Sequence, residues 1–325
     1  MSSLEDRCHG LLLGLAAGDR NGGPVQMALV LAEQLAADDK YCPEKVFEGY
    51  IRWWDGGRGV DAWDTGPTTA ELLKAHLERP CRSLRELEER SRFLDSRMHG
   101  RTAGANAAHR VAPLGLAAFL DVDDLARAAM QESRMTHWSN ISQQSCVVVS
   151  ALSRSLIQGC GWASALDEVL TNAESFSSDV PILFERLLQC RIVSPPLNPG
   201  GFCPDVLRAA LYFVDQADTF EGALTRALKF AGPDNYCPVL VGAFAGARFG
   251  AAAIPENQLA HCRAGICDRC SNAAQTLCQT FPKSESMLEA PPDGGDRAAS
   301  HAPGAHGTCD VSEPTASSCE RQVKK

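Results

Sequence analysis

The stretch that most limits what this chain can fold into is Leu4 to Ala17. It has helical periodicity, turns apolar on every side through Leu11-Leu-Leu-Gly-Leu-Ala-Ala17, and ends at Gly18-Asp19. A helix apolar all round has no face for water, so it must lie inside a core with other elements around it. At seven residues the apolar run is far too short to span a bilayer.

The rest of the chain offers helices to surround it. Gly22-Gly23-Pro24 is a turn, and Val25 to Ala37 carries Met27, Leu31 and Leu35 on one face. Pro43 opens a helix with Val46, Tyr50 and Trp53 in register. Ala70 to Leu77, Leu84 to Leu94 (with a Ser83/Glu86 capping box), His109 to Leu120 with Pro113 inside, Val122 to Gln131, and Ser142 to Gln158 follow. Ala163 to Ala173, Val180 to Leu188, Asp205 to Asp215, Phe220 to Phe230, Gly242 to Ala253 and Glu256 to Thr280 complete the set. No stretch alternates like a strand and no repeat period recurs, so the reading is an all-α bundle. Gly14, Gly18, Ala243, Gly246 and Ala247 are small enough for helices to approach closely, and they are expected at tight contacts.

With 325 residues a substantial core is available. A net charge of −9 gives no global field towards nucleic acid or an anionic membrane. Fourteen cysteines behind a polar, charged start fit a reduced cytosolic compartment in which most thiols are small buried groups. His261-Cys262-x₄-Cys267-x₂-Cys270 lacks the second pair that a zinc site needs. Gly57-Arg58-Gly59 follows no strand, so a dinucleotide fingerprint has no context.

Asp61-Ala-Trp-Asp-Thr-Gly-Pro-Thr-Thr69 concentrates polar chemistry at a helix start. Gly66-Pro67 breaks what precedes it, Thr68 or Thr69 is placed to cap, and Asp64 lies beside the positive end of the helix. The same features also describe an ordinary capped helix.

Several segments resemble the ADP-ribosylglycohydrolase family. Gly10-Leu-Leu-Leu-Gly-Leu-Ala-Ala-Gly-Asp19 is similar to its opening helix, and Gly104-Ala-Asn-Ala-Ala-His-Arg-Val-Ala-Pro-Leu-Gly115 to its central Gly-Asn-Gly-x-x-Met-Arg-x-x-Pro-Leu segment. Thr136-His137 matches a later helix start, and Gly242 to Gly250 the helix after the second metal motif. The resemblance implies a compact orthogonal helix bundle with two Mg²⁺ ions in a central cleft, orienting a ribose and an attacking water. It covers about residues 4 to 256. A peripheral helix over 257–282 and a disordered tail over 283–325 are expected to follow.

Much of the family's carboxylate set is absent. Its Gly-Asp-x-x-Gly-x-Pro-x-Glu ends here in Gln26. Its Thr-Asp-Asp-Thr aligns with Thr65-Gly66-Pro67-Thr68, and its Gly-Asp-Thr-Asp-Thr with Gly232-Pro233-Asp234-Asn235-Tyr236. Asp64 and Asp234 are the nearest substitutes as catalytic or metal-binding groups. Asp19, Trp63, Thr68, Thr69, Asn106, Arg110, His137, Asn235, Tyr236 and Cys237 are the candidate ligand-binding residues. Arg110 is placed to meet a phosphate or Asp64, and equally to satisfy buried helix-end carbonyls. Cys237, near a helix start, is expected either to have a lowered pKa or to be a small buried group.

The pattern is most similar to the branch of J-crystallins and selenoprotein J. The function expected is a catalytically degenerate family member with a structural or ligand-binding role, the ligand being ADP-ribose or ADP-ribosylated protein. The alternative is an active ADP-ribosyl hydrolase using Asp64, Asp234 and Asp19 around a divalent metal.

Overall fold

The computed structural model describes residues 2–57, 64–176 and 197–282, and helices take up most of them. In chain order these are α1 (Leu4–Gly18), α2 (Gly23–Asp38), α3 (Pro43–Gly57), α4 (Pro67–Glu78), α5 (Leu84–Arg97) and the short α6 (Asn106–Arg110). After a 3₁₀ turn at Ala112–Leu116 come α7 (Val122–Arg134), α8 (Asn140–Ile157) and α9 (Trp162–Phe176). Then follow α10 (Cys203–Asp215), α11 (Phe220–Ala231), α12 (Cys237–Phe249) and α13 (Ile266–Cys278). Among the described residues there is no strand. An isolated bridge pairs Gly104 with Phe202. The all-α expectation therefore holds.

The centre is made by α1 and α12, which run antiparallel with their backbones touching. A Cβ added at Gly10, Gly14 or Gly18 would stand 2.1 Å from the carbonyl oxygen of Gly246, Gly242 or Pro238 respectively. From the other side, a Cβ at Gly242 or Gly246 would meet the Gly14 or Gly10 oxygen at 2.0 or 1.9 Å. Only glycine permits that approach. The three contacts step down α1 and up α12 four residues at a time, one per helical turn. Ala243 and Ala247 are fully buried beside them. α8, α10 and α11 pack around α12, and α2 and α13 flank α1. The apolar first helix is thus enclosed as its composition demands.

Several boundaries differ from the sequence reading. α12 begins at Cys237, because Pro238 sits in its first turn where its missing N–H is harmless. It stops at Phe249, where Gly250 turns to φ +89°. The helix expected over Glu256 to Thr280 occupies only Ile266–Cys278, since Gly265 at φ +81° starts it afresh. α4 is opened by Gly66 and Pro67, so Thr68 and Thr69 lie inside its first turn and do not cap it. Pro113 lies in the 3₁₀ turn, whose carbonyls Arg154 collects: Nε donates to Gly115 O at 2.6 Å and Nη2 to Ala117 O at 2.6 Å. Among the described residues no helix is long and apolar enough to cross a membrane. Trp63, the helix expected at Val180 to Leu188 and the tail from Lys283 lie outside the described residues.

Gly246→Leu should lower the unfolding midpoint severely, by more than the 1–3 kcal/mol of ordinary overpacking, because backbone and not side chain must move. Gly56→Ala, with open space at its Cβ, should be neutral or stabilising. Chemical denaturation of both variants checks the placement; equal midpoints would contradict it.

Candidate functional site

The antiparallel pairing carries the C-terminus of α1 to the N-terminus of α12, so Asp19 lies against Asn235. Asp19 is the C-cap of α1 and is 2 % exposed. Its Oδ1 accepts from the backbone N–H groups of Asn21 (3.1 Å) and Gly22 (2.8 Å), and its Oδ2 from that of Val25 at 2.7 Å. Gly22, the N-cap of α2, has no side chain, so Asp19 does the capping. Burial pushes the Asp19 pKa up, the N–H donors offset part of this, and the charge of Asp64 adds to the rise.

Asn235 joins the two carboxylates. Its Nδ2 donates to Asp19 Oδ1 at 2.7 Å and to Asp64 Oδ2 at 3.2 Å, while its Oδ1 accepts from the Arg20 N–H at 3.1 Å. The amide has two N–H donors and both are used. Arg20 Nη2 then donates to the carbonyls of Gly232 and Asp234 at 2.7 and 2.8 Å, fixing the turn before α12. Asp234 itself is exposed.

A cavity of about 210 Å³ opens beside this cluster. Asp64, Asn106, Asp234, Asn235 and Tyr236 line it, so five of the residues singled out in the sequence meet at one place. Asn21, Gly66 and His109 also line it, and the sequence reading named none of these three as a site residue. The Tyr236 ring packs on Gly201, where an added Cβ would stand 2.7 Å from a ring carbon. The segment carrying Asn106 is held by Ala105 N–H to Gly201 O (3.1 Å) and Cys203 N–H to Ala103 O (2.9 Å).

Arg110 is not available to a ligand. It is fully buried, and Nε donates to Glu132 Oε1 at 2.7 Å, Nη2 to Glu132 O and Thr136 Oγ1, and Nη1 to Asn106 Oδ1 at 3.1 Å. Glu132, also fully buried, takes further hydrogen bonds from Tyr50 at 2.7 Å and Tyr41 at 3.1 Å. Burial and the Glu132 charge push both phenol pKa values up, which keeps them as donors. Of the two expectations for Arg110, the partnership with a phosphate or Asp64 is corrected, and the buried one matches: Nη2 meets the Glu132 carbonyl in the last turn of α7. Its partner stands on α7, 22 positions away, and no sequence pattern linked the two. Thr69 supports the same network through its hydroxyl on Asn106 Oδ1 at 2.9 Å, while Thr68 is buried.

His137 is buried behind this wall, with Nδ1 2.8 Å from Thr136 Oγ1. Burial, reinforced by the Arg110 charge, lowers its pKa to about 3, and burial alone lowers that of His109 to about 4. Cys237 also departs from the lowered-pKa expectation: it is buried at the first turn of α12, and desolvation pushes its thiol up to about 12. Desolvation outweighs the helix terminus there.

The donor set does not fit a two-Mg²⁺ centre. Among the described residues no three His, Cys, Asp or Glu side chains form a group able to hold a metal, the Cys262–Cys270 segment included. Asp19 has four N–H donors on its two oxygens, about the full capacity of a carboxylate. The amide of Asn235 lies between Asp19 and Asp64.

Two stability tests follow. Glu132→Gln leaves the Arg110 charge buried without its counter-ion and should cost about 3–5 kcal/mol, whereas Glu132→Gln with Arg110→Met should recover part of it. Both histidines stay neutral when folded but charge when unfolded. Below pH ~6.5 the unfolded chain therefore binds more protons, and stability falls as pH drops towards about 4 for His109 and about 3 for His137. Replacing His137 by Gln should flatten that decline; an unchanged acid profile would contradict a neutral buried imidazole.

Comparison with known proteins agrees with this architecture. A family model described as ADP-ribosylglycohydrolase matches residues 25–286. The chain is 23 % identical over 319 residues to ADP-ribosylarginine hydrolase Tri1 of Serratia proteamaculans (strain 568), covering 86 % of this chain and 81 % of that protein. It is 22 % identical over 292 residues to ADP-ribosyl-[dinitrogen reductase] glycohydrolase of Rhodospirillum rubrum, covering 79 % and 90 %. A solved structure titled ADP-ribosylglycohydrolase-related protein complex superposes with a TM-score of 0.67 at 22 % identity, over 86 % of this chain and 99 % of that one. With its helical core, its cleft at the α1–α12 junction and a family match over most of its length, the chain belongs to the ADP-ribosylglycohydrolase family.

Proposed function

We infer that this protein recognises ADP-ribose, free or attached to protein, in the cleft beside Asp64 and Asn235, and does so without a two-Mg²⁺ catalytic centre. The ligand class comes from the relatives, whose names state action on ADP-ribosylarginine and ADP-ribosyl-[dinitrogen reductase]. The observation that carries the reading is the Asn235 amide, which donates to Asp19 and Asp64 at 2.7 and 3.2 Å. A neutral donor shared by two carboxylates relieves their repulsion, which a divalent cation would otherwise do. Asp234, the remaining nearby acid, is exposed, with its backbone tied to Arg20.

Arg110 does not contribute attraction for a phosphate, so binding is expected to depend only weakly on salt. The cleft offers carboxylates, amides and Tyr236. Such a surface suits hydroxyl-rich groups at modest affinity.

Calorimetry with ADP-ribose, with and without EDTA, tests the reading. Heat that is insensitive to EDTA is expected. Binding abolished by EDTA, or Mg²⁺-dependent release of ADP-ribose from modified arginine peptides that is lost in Asp64→Ala, would establish the active hydrolase instead. No heat at millimolar ligand would leave only the structural, crystallin-like role. Asn235→Asp adds a third carboxylate. It should lower stability without metal and make the unfolding temperature rise with Mg²⁺, a response the unaltered protein should lack.

A further inference from the structure

His109 lines the cleft, is 3 % exposed, and its Nε2 is buried with no hydrogen-bond partner. A buried polar nitrogen left unpaired is costly and calls for an explanation. The ring also hydrogen-bonds the Tyr236 backbone, in the sense that favours a proton on the imidazole, so it donates to a carbonyl. With Nε2 unpartnered, that donor is Nδ1–H, and in a neutral ring Nε2 is then an acceptor. It accepts from none of the groups around it: Asp64 and Asp234 are acceptors, the Asn235 N–H groups are both engaged, and no hydrogen bond reaches it from Asn21, Asn106 or Tyr236.

We propose that His109 is a ligand-contacting and specificity-determining residue, whose Nε2 accepts a hydrogen bond from a ring hydroxyl of a ribose seated in the cleft. The inference deepens the reading above and rests on it. An ionised phosphate has no proton to give and would face Asp64 and Asp234, so the preferred group is a sugar hydroxyl and not the pyrophosphate. Arg110, the adjacent cation, is turned away into Glu132.

The test uses the full chain and two probes that differ in one ribose, ADP-ribose and ADP. ADP-ribose should bind more tightly than ADP. His109→Leu should weaken ADP-ribose binding about tenfold, leave ADP unaffected, and change the unfolding temperature little, because removing the unpaired nitrogen offsets the lost hydrogen bond to the Tyr236 carbonyl. The imidazole ¹⁵N signal of Nε2 in His109 should move on adding ADP-ribose while those of His137 stay in place, a readout that needs no variant to fold. Equal binding of ADP-ribose by the unaltered protein and His109→Leu, or a still Nε2 signal at saturation, would overturn this inference alone. Failure of the unaltered protein to bind ADP-ribose would overturn both.

Discussion

The backbone contact between α1 and α12 governs the rest of this structure. Three glycines on one helix meet two glycines and Pro238 on the other, with no room for a single added carbon. Two helices this close share their dispersion contacts along the backbone itself, and side chains such as Leu11, Leu15 and Phe244 are left to fill the space on either flank. A fold built this way has little freedom to slide, because shifting either helix by one residue puts a Cβ or a larger side chain where a carbonyl stands. The register is fixed by shape alone.

That register builds the cleft. The last rung, Gly18 on Pro238, lies one residue before Asp19 and three after Asn235. The C-cap of one helix is thereby pressed on the turn that opens the other, and Gly23 brings the Asp64 backbone to the same corner, where a Cβ would fall 1.9 Å from its oxygen. Asp19 is committed to capping α2, so its first role is architectural. Around this corner the charges are sorted inwards and outwards. The Arg110–Glu132 pair, with two tyrosines on the glutamate, is sealed in the core, and Asp64 and Asp234 are left at the cleft.

Much of the fold was legible because helix-period burial is a local property. Leu4 to Ala17, Val25 to Ala37 and Phe220 to Phe230 appear close to where their apolar stripes place them. Boundaries failed where a single residue changed the rule: Pro238 starts α12 early, and Gly265 breaks what reads as one long helix. Five cleft residues were visible because they sit in segments similar to a known family. The Arg110 partner was not, since Glu132 lies on an amphipathic helix whose acids all look alike in sequence until packing buries one. For Cys237 the sequence left two readings open, and burial decides for the small buried group: a helix start is readable, and the depth at which it is buried is not.

His109 and Asn235 bear on how a cleft of this kind balances its charges. With carboxylates on one side, either a metal or a set of hydrogen bonds must balance them. Asn235 settles the inner pair, Asp19 and Asp64, from within the protein. What is left at the surface includes three acceptors, Asp64, Asp234 and the Nε2 of His109, beside the amides of Asn21 and Asn106 and the phenol of Tyr236. These three acceptors disfavour an anion. They are matched by hydroxyl donors, and several at fixed spacing amount to a sugar. A polyol would pair His109 Nε2, share the charge of Asp64 and leave the buried Arg110–Glu132 pair undisturbed, so the selectivity of the cleft follows from which atoms the fold has left unsatisfied.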